Sequence, residues 1–492
     1  MNVLLLYPEF PDTFWSLKHA LKFVRKRASL PPLGLLTVAA MLPAGWHVRL
    51  VDLNVRRLTA KTLAWADVVF VSAMIAQRDS ARALLARCRA AGKTVVAGGP
   101  LFSAEHERFP EVDHFVLNEA EVTLGPFLRD LELGCARRVY ASSEHPDLHD
   151  SPAPRWELAD RGRYASMSIQ FSRGCPYDCD FCNVTAMFGH APRIKSPEQV
   201  IAELDGLYRL GWRSRVFFVD DNFIGNKRFL KESLLPALIA WRRGKRGMTF
   251  FTEASINLAD DDRLLRMMVE AGFETVFIGI ETPEDDSLAE CDKRQNRGRD
   301  MVADVKRIQR AGLEVQGGFI VGFDNDTPAT FQRQVEFIQK SGIVTAMVGL
   351  LNAPPATRLY ERMKREGRLL GETTGDNVDG TTNFVPRMSI ETLRDGYRGI
   401  LRHIYTPDSY YRRVRTFLRE YHPPKVKLSL GWRDARALAY AHLRLGIVGR
   451  ERFHYWGLLA WTAVRRPALL QTAVTLAIYG HHFRKICDAI GA

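Results

Sequence analysis

The stretch Phe171-Ser-Arg-Gly-Cys175-Pro-Tyr-Asp-Cys179-Asp-Phe-Cys182 places three cysteines at C-x3-C-x2-C spacing, directly after a short apolar run. Thiolates this close along the chain can converge on one centre, as they do in zinc sites and in iron–sulfur clusters. A closed zinc site needs a fourth ligand, and the nearest histidine, His190, stands alone eight residues beyond Cys182. We therefore favour an iron–sulfur cluster over zinc, and both over inert buried thiols, because packing alone does not cluster cysteines in this way.

The pattern C-x3-C-x-aromatic-C, with Phe181 as the aromatic residue, resembles the signature of the radical S-adenosylmethionine enzymes. The resemblance implies a [4Fe–4S] cluster bound by Cys175, Cys179 and Cys182, with Phe181 among the cofactor-binding residues. In that family the open iron chelates S-adenosylmethionine, and one electron cleaves it to methionine and a 5′-deoxyadenosyl radical. The resemblance thus also implies a one-electron donor such as flavodoxin or ferredoxin.

Composition agrees with a large enzyme of a reducing compartment. The 492 residues suffice for two or three domains, each with its own core. Seven cysteines, three of them in one loop, do not suggest a disulfide framework. The apolar start Met1 to Tyr7 lacks the flanking features of a signal peptide, and no apolar run reaches the about 20 residues of a spanning helix. We expect a cytoplasmic protein, either free or attached peripherally to the inner face of the membrane.

Residues 1–150 alternate short apolar runs with helical patterns, which predicts a doubly wound parallel sheet. The predicted strands are Val3 to Tyr7, Val48 to Val51, Val68 to Val71, Thr94 to Ala97 and His114 to Val116. Ligands of such sheets bind beyond the carboxyl ends of the strands. The residues that we single out there are Asp52, Ser72, Gly98, Gly99 and Glu119.

This arrangement resembles the cobalamin-binding domain that precedes the radical core in one large subclass, in which G-G-P and G-E-x-E-like turns recur. Here Asn118 replaces the first glycine of the second turn. The Asp-x-His-x-x-Gly motif that supplies a cobalt-ligating histidine is absent, so the resemblance implies cobalamin bound without a histidine below the cobalt. The alternatives are a flavodoxin-like regulatory domain without a cofactor and, less favoured, a nucleotide-binding domain, since no G-x-G-x-x-G or Walker motif follows the first strand.

The proline-containing segment His145 to Trp156 is predicted to link this domain to a second one at residues 151–385. Six strand-like runs separated by helical patterns predict a partial (β/α)6 barrel, whose chemistry should lie at the carboxyl ends of the strands. The runs are Met167 to Phe171, Val216 to Val219, Thr249 to Ala254, Thr275 to Ile280, Val315 to Val321 and Thr345 to Leu351.

Four further residues of this second domain match radical-core motifs in order along the chain. Asp221 stands in Asp220 to Phe223, where the family places an edge for the methionine amino group, and Glu281 resembles the acid that holds the ribose or the amino group. Gly318 and Gly322 would let the backbone pack against the adenine. For either acid the alternative is a structural one, a helix N-cap or a surface ion pair.

Residues 386–492 form a predicted helical C-terminal domain with a lopsided charge. From Phe384 onward there are 19 Lys and Arg against 7 Asp and Glu. Trp432, Trp456 and Trp461 accompany several arginines, and two apolar runs are too short to span a bilayer but suit an interface. We consider a helical cap packed on the barrel and a peripheral membrane surface, and we do not expect nucleic acid, because no binding module accompanies the basic excess.

As a whole the chain resembles the cobalamin-dependent radical methylases, including the hopanoid methylases with a helical C-terminal extension. The resemblance implies methylation of an unactivated carbon of a small-molecule or lipid substrate. In this scheme the adenosyl radical abstracts hydrogen, cobalamin delivers the methyl group, and a second S-adenosylmethionine recharges cobalt. The alternatives are a cobalamin-dependent rearrangement or ring contraction without methyl transfer, and a binding module that has lost its chemistry.

Overall fold

The computed structural model describes residues 1–376, 378–423 and 432–491. Its strands are β1 (Asn2–Tyr7), β2 (His47–Asp52), β3 (Val68–Ser72), β4 (Thr94–Gly98), β5 (His114–Val116), β6 (Val139–Tyr140), β7 (Met167–Ile169), β8 (Ser172–Arg173), β9 (Arg193–Ile194), β10 (Val216–Phe218), β11 (Phe250–Glu253), β12 (Phe273–Glu281), β13 (Glu314–Val321) and β14 (Ala346–Leu350).

Its helices are α1 (Lys18–Leu21), α2 (Leu33–Met41), α3 (Ala60–Trp65), α4 (Arg78–Ala90), α5 (Pro100–Glu105), α6 (Ala120–Glu132), α7 (Val184–Phe188), α8 (Pro197–Arg209), α9 (Lys227–Phe229), α10 (Leu235–Arg242), α11 (Asp262–Ala271), α12 (Asp285–Glu290), α13 (Met301–Ala311), α14 (Pro328–Ser341), α15 (Arg358–Arg365), α16 (Ile390–Tyr405), α17 (Pro407–Glu420), α18 (Trp432–Ala441), α19 (Arg452–Arg465) and α20 (Leu470–Ala489). A π-helix, His442–Val448, joins α18 to the turn before α19. Among the helices in the described ranges, none combines the length and the apolar character that a membrane span requires.

The first sheet has the strand order β2-β1-β3-β4-β5-β6, and all of its pairs are parallel. Alternate residues of β1 enter two separate cores: Leu4 and Leu6 pack on one face of the sheet, Val3 and Leu5 on the other. Burial on both faces explains the continuous apolar runs, which is typical of a parallel sheet with helices on either side. The predicted doubly wound sheet is therefore confirmed, and β6 is an added edge strand too short to show a pattern in the sequence.

The second sheet has the order β7-β10-β11-β12-β13-β14, again with only parallel pairs. Its edge strands β7 and β14 do not pair with each other in this order, so the six β/α units form an open barrel. The predicted partial (β/α)6 barrel is confirmed. The carboxyl ends of its strands lie together, which brings the cysteine loop after β7 to the same end as the residues that follow β10, β11 and β12.

The segment between β1 and α2 leaves the first sheet and reaches the barrel and the C-terminal helices. The ring of Phe14 stacks on Phe483 of α20 with centroids 4.3 Å apart, and the Phe14 carbonyl is 3.0 Å from Nε2 of His482. Trp15 donates from Nε1 to Sδ of Met347 in β14, at 3.0 Å. This segment therefore ties all three predicted regions together, and no periodicity in the sequence predicted that contact.

The helices α16, α17 and α20 of the C-terminal region cover the barrel. Arg413 of α17 is buried and donates to Oε1 of Gln339 in α14 and to the Ile404 carbonyl, each at 2.8 Å. Tyr405 of α16 donates to the carbonyl of Ala346 in β14 at 2.7 Å. A buried guanidinium needs such hydrogen-bond partners to be stable. These helices therefore pack against the barrel through specific polar contacts. The helical C-terminal region that the sequence predicted is confirmed.

Candidate functional site

Hydrogen bonds between the segment after β7 and the end of β10 hold the start of the cysteine loop. The carboxylate of Asp220, at the end of β10, is buried and accepts from the Ser172 hydroxyl at 2.6 Å, from the Ser172 amide and from the Phe171 amide at 3.4 Å. Burial raises the pKa of Asp220 to about 7. The next residue, Asp221, accepts from the amide of Gly174 at 3.3 Å. Both acids therefore fix the backbone directly before Cys175.

The three cysteines predicted to bind the cluster are free thiols in this loop. Burial raises the pKa of each thiol, that of Cys182 to about 12. Side-chain amides face two of them: Asn222 Nδ2 lies 3.9 Å from Sγ of Cys175, and Gln295 Nε2 lies 4.0 Å from Sγ of Cys179. Amide donors to sulfur are typical outer-shell groups that orient and tune thiolate ligands.

The donor set fits a [4Fe–4S] cluster better than a single ion. Among the described residues, no three His, Cys, Asp or Glu side chains form a group that could hold one metal ion. A single zinc ion would draw its thiolates to within about 2.3 Å, whereas a cluster of four irons is wider and can be held by three thiolates with one iron left open to another ligand. Three free thiols with two amide donors match this second requirement.

A buried ion pair between Lys293 and Glu281 stands next to the cysteines. Nζ of Lys293 lies 2.6 Å from Oε1 of Glu281, and the same ammonium lies 6.0 Å from the centre of the Phe181 ring. Burial alone would lower the pKa of Lys293, but the Glu281 carboxylate and the nearby cysteine sulfurs raise it above its usual value. A Cβ at Gly279 would collide with both charged groups, so this glycine makes room for the pair.

Glu281 occupies a left-handed backbone position, with φ of 62°. Its predicted role toward S-adenosylmethionine stays a prediction, and the structure adds that its carboxylate already has a cationic partner in Lys293. Lys293 was not predicted from the sequence, because it follows α12 in an irregular segment without a periodic pattern. Lys293 lies in the stretch Cys291-Asp-Lys-Arg, and only its closeness to the buried Glu281 in the folded chain identifies it as a residue of the site.

Gly318 and Gly322 lie in and directly after β13, as predicted, but protein side chains fill the space beside them. A Cβ at Gly318 would come within 2.8 Å of Cζ of Phe277 on β12, and one at Gly322 would come within 3.1 Å of Leu393 on α16. Gly322 also has a φ of 109°, which favours glycine. The steric need for these glycines therefore comes from packing within the protein, and their contact with adenine stays a prediction.

A cavity of about 670 Å³ lies over the carboxyl ends of the first sheet and extends toward the barrel. Its volume is in the upper half of the range usual for ligand pockets. Four of the five residues predicted for this sheet line the cavity: Ser72, Gly98, Gly99 and Glu119. The fifth, Asp52, is not among its lining residues. Its buried carboxylate instead accepts from the Tyr164 hydroxyl at 2.8 Å and from the Asn54 amide at 2.8 Å.

Two turns at this edge show why their residues are needed. A Cβ at Gly99, where φ is 87°, would collide with the Ser72 hydroxyl, and one at Gly98 would lie 2.6 Å from the Val116 carbonyl. Asn118 has a φ of 62°, and asparagine is one of the few side chains that tolerate this left-handed region. The exchange of glycine for Asn118 thus preserves the turn. Gly98 and Gly99 present backbone atoms to the cavity, which lets a flat ligand such as cobalamin approach closely.

Ion pairs join the cavity to the cysteine loop. Glu119 accepts from Arg173 at 2.6 Å and from Arg193 at 2.7 Å, and Glu121 accepts from Arg173 at 2.7 Å. All four side chains are mostly buried. Since Arg173 stands two residues before Cys175, this network fixes the distance between the first sheet and the predicted cluster site. Arg173 and Arg193 were not predicted, although Arg173 lies within the stretch that identifies the loop.

Aromatic side chains of three barrel strands pack in pairs. Phe217 of β10 and Phe251 of β11 stack with centroids 4.7 Å apart, and Trp15 packs edge-on against Phe277 of β12 at 5.4 Å. Trp15 also lines the cavity of the first sheet, as do Ser168 and Gln170 of the barrel. Residues of the first sheet and of the barrel therefore line one cavity, with Trp15 between them.

Family models match three consecutive parts of the chain. Residues 26–127 match the B12 binding domain, residues 169–338 match the radical SAM superfamily, and residues 357–492 match a domain of unknown function (DUF4070). The first match contains the four predicted residues that line the cavity, Ser72, Gly98, Gly99 and Glu119, and the second contains all three cysteines of the loop.

Two curated relatives match nearly the whole chain. An uncharacterized methyltransferase of Synechocystis is 41% identical, over 98% of this chain and 91% of its own length. A hopanoid C-2 methylase of Rhodopseudomonas palustris is 32% identical, over 98% of this chain and 92% of its own length. Among solved structures, the cobalamin-dependent S-adenosylmethionine radical enzyme OxsB with aqua-cobalamin bound has a TM-score of 0.63 at 12% identity, covering 99% of this chain and 80% of that chain. At 12% identity, the similarity to this structure concerns the fold alone.

Proposed function

We propose that this chain, which belongs to the cobalamin-dependent radical S-adenosylmethionine methylases, transfers a methyl group to an unactivated carbon atom of an apolar small molecule. The observation that carries the proposal is the continuity of the two sites. The cavity of the B12 binding domain is also lined by the barrel residues Ser168, Gln170 and Val219, and the buried Arg173 network holds the cysteine loop against it.

In this proposal each part of the chain has a defined task. The cluster with S-adenosylmethionine supplies a 5′-deoxyadenosyl radical, and cobalamin supplies the methyl group. Cys175, Cys179 and Cys182 hold the cluster, while Asp221 and the Lys293–Glu281 pair border it. The cavity edge at Gly98 and Gly99 holds the corrin. A carbon without a lone pair cannot accept a methyl group by polar transfer, so the cofactors must carry the reaction. The protein aligns these centres and excludes water.

Aromatic side chains at the cavity and on the adjoining barrel strands support an apolar methyl acceptor. Trp15 lines the cavity and packs edge-on against Phe277, and Phe217 and Phe251 stack on the neighbouring strands. Apolar walls of this kind hold a ligand by burial and shape instead of by ion pairs. We include a lipid among the acceptors, delivered from a peripheral membrane surface, and a one-electron donor such as flavodoxin or ferredoxin.

Methyl transfer is expected to place the S-adenosylmethionine methyl carbon in the product. With methyl-labelled S-adenosylmethionine, the reconstituted enzyme and an extract of apolar metabolites, mass spectrometry should show a labelled product one methyl group heavier than its precursor. A cobalamin-dependent rearrangement or ring contraction would form 5′-deoxyadenosine and an altered product without label. That outcome would contradict methyl transfer and support the rearrangement or ring contraction.

Cobalamin is expected to bind without a histidine nitrogen on cobalt, because the chain lacks the Asp-x-His-x-x-Gly motif. Electron paramagnetic resonance of the Co(II) form should therefore show no nitrogen superhyperfine splitting from the protein. The matched control is His145→Gln, since Nδ1 of His145 lies 3.0 Å from Glu119 at the cavity edge. A splitting that disappears in this variant would contradict the prediction and would name the ligand.

A further inference from the structure

The outward face of α19 is apolar. Phe453 is 76% exposed, Val464 is 80% exposed, and Trp456 lies between them on the same face of the helix. The opposite face carries Tyr455 and Leu458, which are buried against the rest of the C-terminal region. A surface helix normally has polar residues on its outward face, so two large apolar side chains at this level of exposure indicate a contact surface.

The π-helix that precedes α19 extends this surface. Leu443, Ile447 and Val448 are all exposed, Ile447 at 63%. The Trp456 ring stacks on His442 at 5.2 Å and donates from Nε1 to the Gly446 carbonyl at 2.9 Å, so it joins the two helices. We call Leu443, Ile447, Val448, Phe453, Trp456 and Val464 the tail patch. The side chain of Trp432, which the sequence also singled out, lies outside the described residues.

Arginines border the tail patch without acidic partners. Arg444, Arg450, Arg452 and Arg465 are exposed, and in the described ranges none of them forms an ion pair with Asp or Glu. The acid nearest in sequence, Glu451, is buried and pairs with Arg484 at 2.8 Å. The surface thus combines apolar side chains with positive charge that no described Asp or Glu neutralises.

We propose that the tail patch docks the enzyme on an anionic lipid surface. Exposed apolar side chains enter the boundary between headgroups and acyl chains, a tryptophan stays at headgroup depth, and arginines contact anionic headgroups. We favour an anionic membrane over a neutral apolar partner, because only an anionic surface would form ion pairs with the unpaired arginines. This inference goes beyond the proposed reaction, because it assigns a role to the domain of unknown function and its test needs no turnover.

Vesicle flotation of the full-length protein tests the proposal. The protein should float with vesicles of mixed phosphatidylglycerol and phosphatidylcholine at low salt, less at high salt because salt screens the arginines, and weakly with pure phosphatidylcholine. The variants Phe453→Ser/Val464→Ser and Arg444→Gln/Arg450→Gln/Arg452→Gln should each lower the bound fraction by roughly tenfold or more. Both sets of side chains are exposed, so cofactor content and S-adenosylmethionine cleavage should stay unchanged.

Matched controls use equally exposed residues elsewhere. Leu133→Ser removes a side chain that is 78% exposed on the first domain, and Arg228→Gln removes an exposed arginine of the barrel. Neither should alter flotation. The proposal is overturned if the wild-type protein stays at the bottom of the gradient with anionic vesicles at low salt, or if the controls reduce binding as much as the patch variants do. A dimer in solution that the patch variants dissociate, without vesicle binding, would assign the patch to a second copy of the chain instead.

Discussion

The iron–sulfur absorbance and the formation of 5′-deoxyadenosine should be lost in each of three single variants, Cys175→Ala, Cys179→Ala and Cys182→Ala. Each thiolate in this proposal holds one iron, and the loop offers no spare cysteine in the C-x3-C-x2-C row. Loss of a single ligand therefore removes the cluster. Anaerobic reconstitution followed by iron analysis, visible absorbance and product chromatography measures the result.

Two other cysteines are the controls for this experiment. Cys135 is exposed and distant in sequence, and its replacement by alanine should leave cluster content unchanged. Cys291 is the stricter control, because it is buried beside the loop, where its carbonyl accepts from the Asp180 amide at 3.1 Å. Full cluster content in any of the three loop variants, or its loss in Cys291→Ala, would contradict the three-cysteine assignment.

Lys293→Met should destabilise the barrel by about 3–5 kcal/mol, because it leaves the Glu281 carboxylate buried without its cation. The pair is close and mostly buried, with Nζ and Oε1 2.6 Å apart. Thermal unfolding of the cofactor-free protein should show the loss as a lower midpoint. Because Lys293 also borders the cysteines, the reconstituted variant should contain less iron.

The double variant Lys293→Met/Glu281→Gln separates stability from function. It removes the uncompensated charge, so most of the lost stability should return. If the pair also serves S-adenosylmethionine, cleavage activity should remain low in the double variant. Lys245→Met is the matched control, since its pair with Asp205 has similar geometry at 2.7 Å but is more exposed, and should cost about 1 kcal/mol or less. Equal midpoints for Lys293→Met and wild type would refute the buried-pair argument.

Local patterns in the chain predicted the parts of this molecule that depend on local physics. Apolar runs bounded by helical patterns identified all six barrel strands and five of the six strands of the first sheet, since burial on both faces of a parallel sheet leaves an apolar run in the sequence. The missed strand β6 has two residues, too few for any pattern. Gly98, Gly99 and the cysteine loop were identifiable because tight turns and multi-thiolate sites need particular residues at fixed spacing.

By itself, therefore, the sequence determined the two parallel sheets, the helical C-terminal region, the cysteine loop and the cavity edge. Only the tertiary structure decided which charges meet. It paired Lys293 with Glu281, joined Arg173 to Glu119 and Glu121, and turned Asp52 toward Tyr164 instead of the cavity. It also brought Trp15 into the barrel and left the apolar side of α19 exposed. The physical reason is that ion pairs and packing contacts between distant segments depend on where the folded chain places them, and no local periodicity records that position.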